Sequence, residues 1–262
     1  MKKRSNALSG FSWLMIIFLY LPIAVLILYS FNESRINAVW SGFTWKWYIS
    51  LFENRQVMQA LSNSLSIGLI SSVLATVLGT AASLAIKHYS LRWQNIINGL
   101  IYLPIVIPEI MLGLALLILF SQFQVDLGKA TLIMAHTTFS IPFVMVIISA
   151  RLADMGKDLE EASQDLGATP WQTLRYVILP LIMPGIVAGF LMSFTLSLDD
   201  FIISFFVAGP NSTTLPLYIY GLVKRGVSPE VNALSTLLIT STVLLVIIAE
   251  LFRRKDSKTI PY

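Results

Sequence analysis

The chain has 262 residues, of which 56% are hydrophobic and 12% charged, with a formal net charge of +4. A soluble domain carries about 25% charged residues, so this chain holds more apolar surface than one aqueous core of its size can hide; a bilayer can take it. It contains no cysteine, which excludes disulfides and thiolate metal sites, and only two histidines, His88 and His136, too few for a histidine metal cluster.

The first segment, MKKRSNALSG followed by a long apolar run, has the opening of a secretory signal. The run is about 20 residues long and no small-residue cleavage pattern follows Ser30, so it reads as an uncleaved first span. In chain order, spans are predicted at Ser12–Phe31, Ser64–Ile86, Ile97–Phe120, Thr131–Ala150, Val177–Leu198 and Ala233–Phe252. Together they make one all-α, polytopic domain of six transmembrane helices, residues 1–262, with its core at about 64–252. With the N-terminus inside, the inner segments hold Lys2, Lys3, Arg4, Lys87, Arg92, Arg151, Lys157, Arg175, Arg253, Arg254, Lys255 and Lys258. The outer ones hold Arg35, Lys46, Arg55, Lys129, Lys224 and Arg225. That excess places both termini in the cytoplasm.

Between the first two spans, FTWKWYISLF carries Trp45, Trp47 and Tyr48. Such aromatics are more often interfacial anchors, although Trp47 and Tyr48 could also meet an ammonium group through cation–π contact. The third span contains LPIVIPEIMLG, with Glu109 next to Pro108 and near Pro104. A carboxylate at mid-bilayer costs about 2.5–3.5 kcal/mol, so Glu109 is expected to face a pathway or a buried hydrogen-bond partner. Gly128-Lys129-Ala130 is the nearest approach to a nucleotide-binding P-loop, but Phe123 stands where its first glycine belongs and Ala130 where Ser or Thr belongs. His136, with Thr137 and Thr138, suits a hydrogen bond to a neighbouring helix.

The inner loop 151–176 is the most patterned stretch. Leu152, Met155, Leu159, Ala162 and Leu166 recur at helical spacing and predict a helix over 152–166. Gly167 stops it, and Thr169-Pro170-Trp171-Gln172 restarts a helix with a capping box and proline at its first position. The product is a stiff helix pair, either a connector or a docking element. In the fifth span Gly185-x-x-x-Gly189 offers a close-packing face.

That span ends in SLDDFIISFF, which includes Ser197, Asp199 and Asp200. Acids at a helix C-terminus oppose its dipole, so a cation is expected nearby. Lys224 and Arg225 could supply it, and so could a cationic substrate.

Glu161-Ala162-Ser163, then Gly167, then Val177-x-Leu179-Pro180 resembles the EAA loop of ATP-binding-cassette importer permeases, with serine for alanine at 163 and valine for isoleucine at 177. The resemblance implies the MetI-like type I importer fold and a cytoplasmic loop, 151–176, in which Glu161, Ala162, Ser163 and Gly167 couple to an ATPase subunit. It also implies that this chain is not itself an enzyme: ATP and magnesium would be bound by partner subunits, and the chain would hold no cofactor. The stretch from Ser193 to Leu234 is similar to permeases of spermidine/putrescine importers, and that likeness extends over nearly the whole chain. It implies two ATPase subunits, a homologous second permease, a periplasmic polyamine-binding protein, and a substrate path including Asp199, Asp200, Glu109, Ser197, Trp47 and Tyr48. An importer for another small cationic solute or for ferric iron is the alternative. An intramembrane aspartyl protease is disfavoured because adjacent aspartates point about 100° apart on a helix, and a passive channel leaves the EAA-like loop unexplained.

Overall fold

The computed structural model describes residues 2–34, 39–88, 94–156, 158–226 and 228–257. Arg35, Arg92, Lys157 and Lys258, counted above among the loop charges, lie outside these residues, as do the side chains of Lys2, Lys3, Arg4, Arg225, Arg253, Arg254 and Lys255. The elements are helices: α1 (Lys2–Tyr29), α2 (Lys46–Glu53), α3 (Arg55–His88), α4 (Gln94–Val106), α5 (Glu109–Gln122), α6 (Lys129–Asp154), α7 (Asp158–Asp165), α8 (Pro170–Thr173), α9 (Leu179–Asp199), α10 (Ile202–Val207), α11 (Leu215–Arg225) and α12 (Pro229–Ser257). A π-helical turn, Leu174–Ile178, joins α8 to α9, so the helical path runs unbroken from Pro170 to Asp199.

Among the described residues, α1, α3, α6 and the stretch Pro170–Asp199 are long and apolar enough to cross a bilayer. The third expected span is not one straight helix. Gly99–Val106 and Glu109–Gln122 meet at 109° and count as a fifth span only when taken together. The break falls at Pro108, which has no N–H to continue the ladder of α4 and adopts an extended ψ of 133° before α5. By contrast Pro22, Pro142 and Pro184 lie inside continuous helices, as neighbouring groups in membrane helices allow. The sixth expected segment lies within α12.

The chain groups into two compact units, one formed by Met1–Met58 with Tyr218–Thr242, the other by Gln59–Leu217 with Val243–Tyr262. In the first, α1 presents an apolar surface whose side chains from Leu8 to Leu21 are almost all exposed. The segment after it folds back through an antiparallel bridge between Asn32 and Phe43. In the second unit α6 is the central element. It packs on α9, α10 and α4 and buries Leu132, Ala135, Phe139, Val144, Ile148 and Leu152. Small residues allow this closeness. A side chain at Gly189 would press on Val144 Cγ1 at 3.2 Å, and one at Gly185 on Arg151 Cβ at 3.3 Å. The close-packing face expected of this glycine pair is therefore directed at α6. Where lipid offers no hydrophobic drive between helices, such backbone approach supplies the attraction.

Candidate functional site

The two adjacent aspartates have different surroundings. Asp199 is the last residue of α9 and is exposed; Asp200 leaves the helix with an extended backbone (φ −63°, ψ 122°) and is buried, 8% exposed. One Asp200 carboxylate oxygen accepts from the Ile203 amide at 3.2 Å, the other from the Ser204 amide at 2.8 Å and the Ser204 hydroxyl at 2.7 Å. The expectation that a helix end opposes both acids is corrected for Asp200. The chain turns between α9 and α10, so this carboxylate faces the first amides of α10, the positive end of the next helix.

His136 completes the network from α6. Its Nε2 lies 3.3 Å from Asp200 Oδ2 and 3.0 Å from Ser204 Oγ, and its Nδ1 lies 2.6 Å from Ser197 Oγ. The Ser71 hydroxyl of α3 donates to Ser197 at 3.3 Å. With the proton on Nε2, a neutral imidazole satisfies every partner: it donates towards Ser204 and Asp200 and accepts from Ser197. The expected helix-to-helix bond of His136 is thus present. It ties α3, α6 and α9 to the elbow before α10 through groups that are all buried. Ser197 keeps no free hydroxyl, because its oxygen is engaged by His136 and Ser71.

Glu109 opens α5 immediately after the break at Pro108 and is exposed. Its charge lies within the field of Asp200 and Asp199, because α10 packs along α5. The seam is tight at Gly113, where an added side chain would meet Phe206 Cδ2 at 2.8 Å and Ile203 Cα at 3.4 Å. The fold therefore brings three acids, expected from separate parts of the sequence, into one neighbourhood. Among the described residues neither Glu109 nor Asp199 forms an ion pair. Two exposed carboxylates in one negative field repel each other and attract a cation that can hydrogen-bond to both.

Trp47 and Tyr48 lie in α2, in the other compact unit. Trp47 is buried, 7% exposed, and its indole N–H donates to the Asn32 carbonyl at 2.7 Å. The Tyr48 hydroxyl is bonded to Ser30 Oγ at 2.7 Å, and its ring joins Phe31 and Trp45 at centroid distances of 5.1 and 5.5 Å. Both side chains pin the segment after α1 to α2. Their polar atoms are already engaged within the chain. Lys224, offered above as a partner for the aspartates, places its ammonium 4.7 Å from the Tyr220 ring centroid.

The loop after α6 forms the expected hairpin with one correction. The 152–166 stripe does not sit on one helix: α6 runs to Asp154, and Met155 is extended (φ −85°, ψ 110°) before α7. Helical spacing persists across the break, but Gly156, the weakest non-proline helix former, follows it. The rest is local chemistry as expected. Gly167 takes φ +86°; its amide donates to the Gln164 carbonyl at 2.8 Å and that of Ala168 to Ser163 at 3.0 Å, the Schellman pattern. The Thr169 amide donates to Gln172 Oε1 at 2.8 Å, and the Gln172 amide to Thr169 Oγ1 at 3.4 Å.

None of α7 is buried. Leu159, Leu166, Trp171 and Tyr176 are exposed, Leu166 at 90%, and Glu161 and Ala162 face outward with them. Ser163 instead points into the hairpin, 2.8 Å from the buried Thr173 hydroxyl, and also donates to the Glu160 carbonyl. Two positions escaped sequence reasoning. Ser204 follows Asp200 by four residues, a spacing that suggests a helix-start contact once the break is known. Nothing local announces Ser71.

Residues 75–255 match the family of binding-protein-dependent transport system inner membrane components. The chain belongs to that family. It is 41% identical over 249 residues to the spermidine/putrescine transport system permease protein PotC of Escherichia coli K12, spanning 95% of this chain and 94% of that protein. It is also 41% identical over 229 residues to the putrescine transport system permease protein PotI of the same organism, covering 85% and 82%. A solved bacterial ABC transporter involved in alginate import shares the fold, with a TM-score of 0.73 at 19% identity over 99% of this chain and 98% of that one. The chain is thus a multi-pass permease subunit with the MetI-like fold.

Proposed function

We propose that this permease is the membrane-spanning subunit of a polyamine importer in the bacterial inner membrane, carrying spermidine or putrescine from periplasm to cytoplasm by alternating access. The observation that carries the reading is the 41% identity to PotC along 95% of the chain. The acidic neighbourhood supports it. Exposed carboxylates at Asp199 and Glu109, backed by the charge of Asp200, offer separated acceptors for a flexible chain bearing several ammonium groups. Asp200 contributes field and shape, because its oxygens are held by α10 and His136. Ser197 acts in the same way, through His136. Trp47 and Tyr48 brace the segment after α1 rather than hold substrate.

The assembly in this reading contains a homologous second permease, two cytoplasmic ATPase subunits that bind ATP and magnesium, and a periplasmic polyamine-binding protein. Both termini are cytoplasmic. The exposed α7, with Glu161 and Ala162 on its surface, inserts into an ATPase subunit; Gly167 and Ser163 hold the hairpin in shape. Nucleotide-driven motion of that subunit reaches the spans through this contact. The test is uptake of labelled spermidine in cells lacking other polyamine importers. Uptake should require this chain and fall with excess putrescine; uptake unchanged on deleting the chain would overturn the reading.

A further inference from the structure

The last turn of α3 grips the hairpin on both sides of the break at Met155–Gly156. Before the break, Lys87 Nζ donates to the Leu152 carbonyl of α6 at 3.1 Å. After it, His88 Nε2 meets Glu160 Oε1 of α7 at 2.8 Å, while His88 Nδ1 meets the Leu84 carbonyl at 3.0 Å. Both ring nitrogens thus face acceptors. A neutral imidazole carries one N–H and would leave a lone pair against an oxygen, so this geometry is satisfied by the imidazolium, which donates twice. Around the hinge a cavity of about 490 Å³ is lined by Ser83, Lys87, Ser149, Leu152, Met155 and Gly156.

We propose that His88 and Glu160 are positioning residues that transmit motion of α7 to α3, forming a charge-dependent latch beside the fixed Lys87–Leu152 contact. Glu160 on α7 meets the ring; the other charges on the elements joined here are Asp158 and Glu161 in the same acidic turn, Lys87 on the histidine's own helix, and Arg151 and Asp154 in the last turn of α6. The ammonium of Lys87 is turned away to Leu152. The acceptors at both ring nitrogens call for the doubly protonated imidazole. Because the latch requires that proton, it weakens as pH rises. A lysine at 88 would keep the cation without titrating near neutrality.

The inference rests on the proposed docking of α7, and its test separates the two. The complete transporter is reconstituted in vesicles, and ATP hydrolysis stimulated by spermidine-loaded binding protein is measured beside spermidine uptake at about pH 6 and about pH 8. Co-purification of the ATPase subunits reports docking independently. His88→Ala and Glu160→Gln should retain the ATPase subunits while lowering spermidine transported per ATP roughly two- to fivefold, the range a partly exposed ion pair sustains. His88→Lys should restore coupling and flatten its pH dependence. Full coupling in His88→Ala or in Glu160→Gln, or wild-type pH dependence in His88→Lys, would overturn the latch. Loss of the ATPase subunits from the wild-type complex would instead strike the docking reading.

Discussion

The elbow at Asp199–Asp200 and the hairpin at 158–173 both drew attention through their acids, and they use them in opposite ways. At the elbow the polar groups turn inward. Asp200, Ser204, His136, Ser197 and Ser71 satisfy one another and are buried, leaving only Asp199 facing out beside Glu109. In the hairpin nothing of α7 is buried, and large apolar side chains stand exposed between acids. A buried, satisfied network specifies one conformation, because each member left alone would carry an unpaid desolvation cost. An exposed amphipathic helix has no such internal need and keeps its surface for a partner. Substitutions should therefore divide by region, with stability changing at the elbow and association at the hairpin.

The largest effect separates two neighbours. Asp200→Ala removes the acceptor for two amides, the Ser204 hydroxyl and His136, and should destabilise the protein by about 3 kcal/mol or more, since each buried donor left without an acceptor costs about 1–3 kcal/mol. Thermal denaturation of the purified permease in detergent measures it. Asp199→Ala should change stability by less than about 0.5 kcal/mol while lowering spermidine uptake. Equal stability of the two variants would remove the distinction between them.

The next comparison crosses to the hairpin. Glu161→Lys reverses a charge on an exposed surface and should leave thermal stability within about 0.5 kcal/mol of wild type. Recovery of ATPase subunits with the permease should fall roughly tenfold or more, the scale of a lost charged contact at an interface. Normal recovery would count against α7 as the docking element.

What was legible in the sequence divides along the same line as the energetics. The Gly167 stop, the Thr169–Gln172 box and the Gly185–Gly189 face depend on residues within a few positions of each other, and each appears as expected. The gathering of Glu109 near Asp199 and Asp200 depends on α10 folding onto α5, which no local pattern encodes. The turn that converts Asp200 from an opposed helix end into a partner of the next helix was hidden because Phe201–Phe206 continues the apolar run. The helix break at Met155 was hidden for the converse reason: apolar spacing carries across a gap in the backbone ladder. The kink at Pro108 was legible as a proline but not as a 109° bend, since Pro22, Pro142 and Pro184 cause no comparable break.

The smallest effect tests the one departure from the EAA pattern that the structure explains. Ser163 stands where that pattern has alanine, and its hydroxyl meets Thr173, which is 2% exposed. If the bond fixes α7 against α8, Ser163→Ala should cost about 1 kcal/mol, because the Thr173 hydroxyl is left buried without its partner. Removing both hydroxyls, as Ser163→Ala with Thr173→Val, should recover most of that loss, since replacing both partners by apolar groups can be nearly neutral. Stability of the four proteins of this cycle, measured by thermal denaturation, isolates the coupling between the two positions. ATPase recovery should stay unchanged throughout, because neither hydroxyl lies on the exposed face of α7. An additive double variant would show that Ser163 acts through its bond to the Glu160 carbonyl instead. The serine would then stiffen α7 itself rather than join the two arms of the hairpin.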